Sequence, residues 1–573
     1  MASRVSESGA AQGHPGAVPR GRTCFYDPAS RVWSGLRTAP RHDVGQSLGQ
    51  LVLGALRACD PGHVTQIGDT GPVTCGQMYE RAARVAQWLT GHGYGEGTMA
   101  ALASRNGEHV APVMFACFAL GITVNPLDAA FDTGDFAHMF GITRPVLLFC
   151  EQDLLATVLA GAARAGIDPR IVLFGSAEHQ EAAGAGAGAG HLRIEELLQP
   201  SGREHLFVPP TLGDPARQLA VILCSSGTTG LPKGVSYTHA FCIANLPTLW
   251  RTTADDRLLA FSSLYWLSGF ATLIVGTVNM ATRIITRRPF SSEYALDLLA
   301  RHRVTLAFFP PFHANLVVSD PRAPATDMSA LKTLLCGGAS VSADLYRRLQ
   351  SWLPRTTEIQ IGYGMSESSL IALTDRDVPY RDGTVGSPQP LTEVKIVDAD
   401  TGRALEPGEH GEILLRVQYP FAGYYDNPEE TAATVTSDGW ISTGDIGHFD
   451  PDGLLYIVAR RKEIIKYANY QILPAELETL IKLLPGVLEC CVVGIPIPGS
   501  DLPAAAIIRS PGATLDEATV HDFMRSRVAD YKRLRGGIYF FDTLPVTPSG
   551  KVMRRKCLET ILAIRAGEPQ TQT

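Results

Sequence analysis

The stretch Ser225-Ser226-Gly227-Thr228-Thr229-Gly230-Leu231-Pro232-Lys233-Gly234 crowds glycines, hydroxyls and one lysine into a single segment. Such a segment is costly to order, because glycine loses more backbone freedom on folding than any other residue. Its hydroxyls, unhindered N–H groups and mobile ammonium suit the wrapping of a polyphosphate; an ordinary glycine-rich turn has the same composition. The spacing departs from the phosphate-binding pattern in which Gly-Lys-Ser/Thr opens a helix. Here Pro232 precedes Lys233 and Gly234 follows it, so the segment is expected to stay a loop. Further on, Gly362-Tyr363-Gly364-Met365-Ser366-Glu367 sets a tyrosine between two glycines, which lets backbone approach a flat ring that the aromatic can stack on. Glu367 offers a hard oxygen suited to Mg²⁺. Asp445 closes Gly439-Trp440-Ile441-Ser442-Thr443-Gly444-Asp445, where a turn would let it accept from a ribose diol or act as an Asx-turn. Near the end, Thr547-Pro548-Ser549-Gly550-Lys551 presents one lysine from a glycine-serine loop.

These groups need elements to hold them. The β-branched run Leu219–Leu223 predicts a buried strand feeding the first loop. From about Val44 to Glu151 helical and strand patterns alternate: a helix over Met78–Leu89, a strand over Met99–Ala103, an apolar helix over Val110–Leu120 and a strand over Ile122–Asn125. Such alternation implies a parallel, layered α/β architecture. Val304–Phe309 predicts a strand ended by Pro310-Pro311, and Leu331–Leu335 another that empties into Cys336-Gly337-Gly338-Ala339-Ser340. That turn fits a ligand at the carboxyl end of a sheet, and equally a tight strand-to-helix connection. After Arg460-Arg461-Lys462 the chain restarts with helices over Ala475–Leu484 and Leu515–Val528 and strands over Glu489–Gly494 and Gly537–Phe541, enough for a small α+β domain. Trp266 and Phe270, with Tyr265 and Phe308-Phe309, point to an apolar pocket.

With 573 residues, the chain exceeds what one hydrophobic core serves well. A net charge of −7 gives nucleic-acid binding no electrostatic support. Eleven cysteines without a Cys-x-x-Cys pair argue for reduced thiols in a cytoplasmic setting, against a disulfide framework or a zinc site. Adjacent Cys490 and Cys491 should face opposite sides of a strand. Met1 to Arg22 lacks an apolar core and reads as a disordered leader, Ala182–Gly190 reads as a flexible insertion, and no apolar run is long enough to span a membrane. Thr571-Gln572-Thr573 is not a peroxisomal signal.

Taken in this order, the motifs resemble the adenylate-forming superfamily of acyl-CoA synthetases, coumarate-CoA ligases and beetle luciferases, over roughly Val44 to Glu559. The resemblance implies a leader over 1–43, a large adenylation domain of layered sheets and helices over 44–461, and a small mobile α+β domain over 462–573. It implies that a carboxylic acid attacks ATP to give an acyl-adenylate and pyrophosphate, after which coenzyme A displaces AMP. Lys551 would bridge the carboxylate and the α-phosphate. Lys233 and the Ser225–Gly230 loop would hold the β and γ phosphates, and Glu367 with Ser366 would bind Mg²⁺. Gly338, Ala339, Ser340 and Tyr363, beside Gly362, Gly364 and Met365, would enclose adenine, while Asp445 and Arg460 would hold the ribose. Lys462 falls at the hinge, whose rotation would exchange Lys551 for the segment around Lys466 and Gln471. Four positions depart from the family pattern: Ala459 for an aspartate, Ala468-Asn469 for Lys-Gly, Ser366 for a threonine, and Trp266 for a polar group of the acyl pocket. A medium- to long-chain fatty acid is the expected substrate. An aryl acid, a luciferase-like oxidation and a non-catalytic nucleotide-binding regulator are the alternatives.

Overall fold

The computed structural model describes residues 24–175, 190–225, 232–247, 249–468, 470–498, 500–547 and 552–567. The expected leader up to Arg22, most of the Gly/Ala insertion, Ser226–Gly230 and Lys551 lie outside the described residues.

Two sheets enclose the main core. The first has seven strands; Met99–Ala103 lies at its centre, flanked by Thr123–Leu127 and Leu147–Glu151, and it is parallel except where Leu219–Ser225 meets Lys233–Thr238. The second has nine strands, parallel from Glu358–Met365 through Thr333–Gly337, Leu306–Phe309, Arg257–Ala260 and Thr282–Ile284 to Val64–Gly68. Helices fill the space between. Val110–Leu120 is apolar on every side and all of it is buried, as a helix between two sheets must be. Its neighbours Leu48–Ala58 and Cys75–Gly91 each begin with a reciprocal cap, Ser47 with Gln50 and Thr74 with Gln77, which satisfies otherwise orphaned N–H groups. Glu151, 2 % exposed, pins the two sheets together: it ion-pairs with Arg105 and, at 2.7 Å, with Arg287 beyond the strand Thr282–Ile284.

A third, antiparallel sheet of six strands runs from Cys24–Asp27 and Val32–Gly35 to Ile441–Phe449 and Leu455–Arg460. Residues 24–35 thus belong to the fold rather than to a leader reaching residue 43. Trp33 supplies the reason, stacking on Phe449 at 5.1 Å inside the core. Beyond Lys462, a hairpin of Ile465–Tyr467 and Tyr470–Ile472 precedes a three-stranded sheet, Val487–Ile497, Ser500–Arg509 and Gly537–Phe540, covered by helices Pro474–Ile481, Glu517–Arg525 and Arg554–Arg565. Cys490 and Cys491 do face opposite sides of this sheet, each in a separate apolar cluster. Among the described residues no helix is long and apolar enough to cross a membrane.

Two histidines make this fold acid-sensitive. His239 accepts the Leu48 N–H on Nδ1 at 3.0 Å, and His313 stacks on Phe290 at 3.6 Å; burial pushes each pKa down to about 4. Both stay neutral in the folded chain while the unfolded chain protonates them near the usual value. Stability from these groups is therefore full above about pH 6.5 and falls as pH drops towards about 4, unfolding taking up about two protons. Equilibrium denaturation at about pH 7 and about pH 4.5 checks the loss, and His313→Gln should remove about half of the slope these two groups contribute.

Candidate active site

A cavity of about 570 Å³ opens where the parallel strands of the second sheet end, facing the last strand of the third sheet. This is the carboxyl edge at which open α/β sheets bind ligands. Phe308 and Pro310, Gly337 and Gly338, and Gly362 with Gly364 to Glu367 reach it from three neighbouring strands. Ser225 and Lys233 arrive from the first sheet, and Ser442, Thr443, Gly444, Arg460, Arg461 and Lys462 from the third and the segment that follows it. Gly338 sits at φ +91°, a conformation that admits glycine readily. At Gly364 a Cβ would lie 2.5 Å from the Ser369 carbonyl oxygen, so only glycine lets the strand turn back so tightly after Met365.

Among the described residues, most of those singled out in the sequence meet here, though not always on the expected element. Lys233 is not in a loop: it opens a strand and pairs in register with Ser225, because β-branched and aromatic residues follow it through Val235 and Tyr237. Asp445 lies within the strand Ile441–Phe449 rather than in a turn, opposite Arg460. Its carboxylate is 5 % exposed; Oδ2 accepts the Tyr363 hydroxyl at 2.6 Å and Oδ1 accepts Arg460 Nε at 3.0 Å. Burial and then the Asp445 carboxylate push the Tyr363 phenol well above its usual range, so it stays a neutral donor. Each carboxylate oxygen has a second lone pair, which leaves capacity for two further donors.

Glu367 is buried, and its Oε1 accepts the Tyr424 hydroxyl at 2.6 Å. Burial, then the Glu367 charge, push the Tyr424 phenol up. Glu367 is a hard carboxylate at the cavity wall, and the Ser366 backbone beside it is held through its carbonyl by the Tyr237 hydroxyl, a donor set that fits Mg²⁺. Arg461 pairs with Glu412 at 2.7 Å.

Trp266, Leu267, Ser268 and Ala271 line the cavity from the start of the helix Leu267–Val278, joined by Leu249, Trp250, Phe308, Pro310 and Leu335. Phe270 does not. It is fully buried and packs edge-to-face on Phe118 at 6.1 Å, because Leu267 and Ala271 share the cavity face one turn apart and Phe270 points into the helical layer. Ala339 and Ser340 are exposed beside Gly338 without reaching the cavity wall. Lys466 and Gln471 pair across the hairpin beyond Lys462, exposed and away from the cavity. In that hairpin Ala468 adopts φ +47°, a left-handed conformation that costs an alanine about 1–2 kcal/mol, and its N–H donates to Ser500 Oγ at 3.1 Å. Ala459 is buried opposite Ile446, without a carboxylate. Sequence reasoning missed Tyr424, Glu430 and Trp250; the Asn427-Pro428 start of a short helix was the one local signal for the first two.

The fold matches that of ATP-bound MatB from Rhodopseudomonas palustris, with a TM-score of 0.78, 26% identity, and coverage of 90% of this chain and 99% of that one. Layered sheets with a small C-terminal domain and a cavity before it define the architecture of adenylate-forming enzymes. Residues 56–425 match the AMP-binding enzyme model and residues 476–551 the AMP-binding enzyme C-terminal domain, so the chain belongs to the AMP-binding enzyme family, with its acyl- and aryl-CoA ligases. Among curated relatives, a 4-coumarate–CoA ligase-like protein of Oryza sativa subsp. japonica is 32% identical, covering 82% of this chain and 78% of the relative. A luciferin 4-monooxygenase of Photinus pyralis is 28% identical, covering 86% and 90%.

Proposed function

We propose that this protein is an ATP-dependent carboxylate–CoA ligase acting on a medium- to long-chain fatty acid. The observation that carries the substrate class is the charge pattern of the cavity. Its wall from the helix Leu267–Val278, from Leu249-Trp250 and from Phe308, Pro310 and Leu335 contains no lysine, arginine or histidine among the described residues. The cations of the wall, Lys233, Arg460, Arg461 and Lys462, lie elsewhere on it, and the first three each pair with an acid. A second carboxylate on the acid would therefore meet no counter-charge along this apolar part of the wall, whereas an alkyl chain would pack well there.

In this reading the difficulty of the first half-reaction is that two anions must meet, so catalysis is chiefly charge neutralisation and positioning. Lys551 bridges the carboxylate and the α-phosphate, and Lys233 with Ser225 to Gly230 holds the phosphates that leave as pyrophosphate. Asp445 and Arg460 orient the ribose, with Tyr363 fixing the Asp445 carboxylate, and Gly338 borders the adenine. Mg²⁺, held by Glu367 and Ser366, neutralises phosphate charge when bound. Lys462 is the hinge between a domain over 44–461 and one over 462–573, and the hairpin of Lys466 and Gln471 serves the coenzyme A half-reaction. The eleven cysteines are all unbridged and all but Cys59 are buried, which supports a reducing, cytoplasmic setting.

A panel of fatty and aryl acids, read by ATP-dependent pyrophosphate release, tests the proposal. Turnover of C8 to C18 chains above aryl acids is expected; a preference for aryl acids would replace the substrate class, and no release with any acid would favour the nucleotide-binding regulator.

A further inference from the structure

The Lys233 ammonium, which the phosphate reading needs, is engaged by another group of the cavity wall. It forms an ion pair with Glu430 Oε1 and lies 5.4 Å from the centre of the Tyr424 ring. Glu430 is in the first turn of the helix Pro428–Thr434, and the Asn427 side chain accepts its N–H at 3.0 Å, so the carboxylate starts from a capped, fixed backbone. Six residues earlier, Tyr424 donates to Glu367. One short segment thus touches both the lysine and the acid on which a nucleotide triphosphate would rest. A carboxylate lining an anion site opposes the anion, so electrostatics alone would exclude Glu430 from this wall.

We propose that Glu430 is a positioning residue that tunes polyphosphate affinity through Lys233. The inference rests on the ATP-dependent reading above. Glu430 neutralises the ammonium and holds it at the wall, and a phosphate that engages Lys233 competes with this carboxylate for its charge. The four-carbon stem of lysine allows the exchange without backbone movement. Both partners are partly exposed, with side chains 24% and 36% accessible, so the competition weakens polyphosphate binding modestly, about two- to fivefold. Its use is in the exit of pyrophosphate: an ammonium with a waiting counter-ion releases its anion faster than one that must be left uncompensated.

The test is calorimetric titration of the full chain with magnesium pyrophosphate and magnesium ATP, in the unmutated protein and in Glu430→Gln, Glu430→Asp, Lys233→Ala and the Lys233→Ala/Glu430→Gln double variant. Glu430→Gln should bind both anions about two- to fivefold more tightly, and pyrophosphate should inhibit it more strongly while the KM for the acid is unchanged. Glu430→Asp, which keeps the charge, should behave as the unmutated protein, and the gain should vanish in the Lys233→Ala background. A merely structural role would not produce tighter binding. Unchanged or weaker binding in Glu430→Gln overturns the inference alone, as does a gain that survives removal of Lys233, which would signify direct repulsion. Failure of the unmutated protein to bind either anion overturns it together with the ATP-dependent reading.

Discussion

Lys551→Ala is expected to abolish carboxylate-dependent exchange of pyrophosphate into ATP while ATP itself still binds. The carboxylate and the α-phosphate repel each other, and the repulsion is greatest as the new bond forms. A lysine bridging the two would act chiefly in that transition state, whereas in the proposed function ground-state ATP would keep its contacts to Lys233, Asp445 and Arg460. Removal of one such group costs about 10²- to 10³-fold in turnover, or about 3–4 kcal/mol. Lys551 lies outside the described residues, but the segment on either side of it is anchored. Val546 pairs with Val552 in an antiparallel bridge, and Arg554 ties the following helix to Glu463 at 2.9 Å, to Glu478, and to the Val492 carbonyl at 2.9 Å. Glu463 immediately follows Lys462, so the lysine segment and the proposed hinge are mechanically joined. Exchange is measured with radiolabelled pyrophosphate and binding by calorimetry; exchange within tenfold of the unmutated protein would remove Lys551 from the proposed role.

How much of this could be read from the sequence depended on how local the determinant was. The buried helix Val110–Leu120 and the strand Met99–Ala103 fall where apolar patterning puts them, because burial on every side leaves an uninterrupted apolar run. The strands that end at Gly337 and Gly362 were legible for the same reason, with glycine marking where backbone must pass close to other groups. Elements whose partners are distant in sequence were not. Residues 24–35 look too short and polar to be structured until Trp33 and Ser34 find the strand Thr392–Val397, and Asp445 looks like a turn residue until Arg460 pairs with it. Phe270 has the composition of a pocket residue, but its angular position on the helix decides for the core. Beyond the helix start at Asn427-Pro428, Glu430 has no local pattern: only the third sheet and its connection bring it to Lys233.

The second large effect is expected at Asp445. Two strands place this carboxylate behind the cavity wall with Tyr363 on one oxygen and Arg460 on the other, so it is oriented before any ribose arrives. Preorganisation matters because each hydrogen bond from a hydroxyl to a fixed, charged acceptor contributes about 1.5–3 kcal/mol. Asp445→Ala should therefore raise the KM for ATP about 100-fold or more. It should also destabilise the fold by about 1–3 kcal/mol, since Arg460 loses its counter-charge while its side chain, 33% exposed, keeps partial access to water. Asp445→Asn separates the two consequences: it keeps the shape and much of the packing but removes the charge, so the KM should rise nearly as far while the melting temperature falls less. Tyr363→Phe leaves the carboxylate in place and removes one of its two fixing bonds, for which a rise in KM of about tenfold is expected with kcat little changed. The order Ala above Asn above Phe is the diagnostic feature. Were Asp445→Ala to lose stability yet keep an unaltered KM for ATP, the carboxylate would be a strand-pairing residue for Arg460, and the ribose would have to be held by other groups of the cavity.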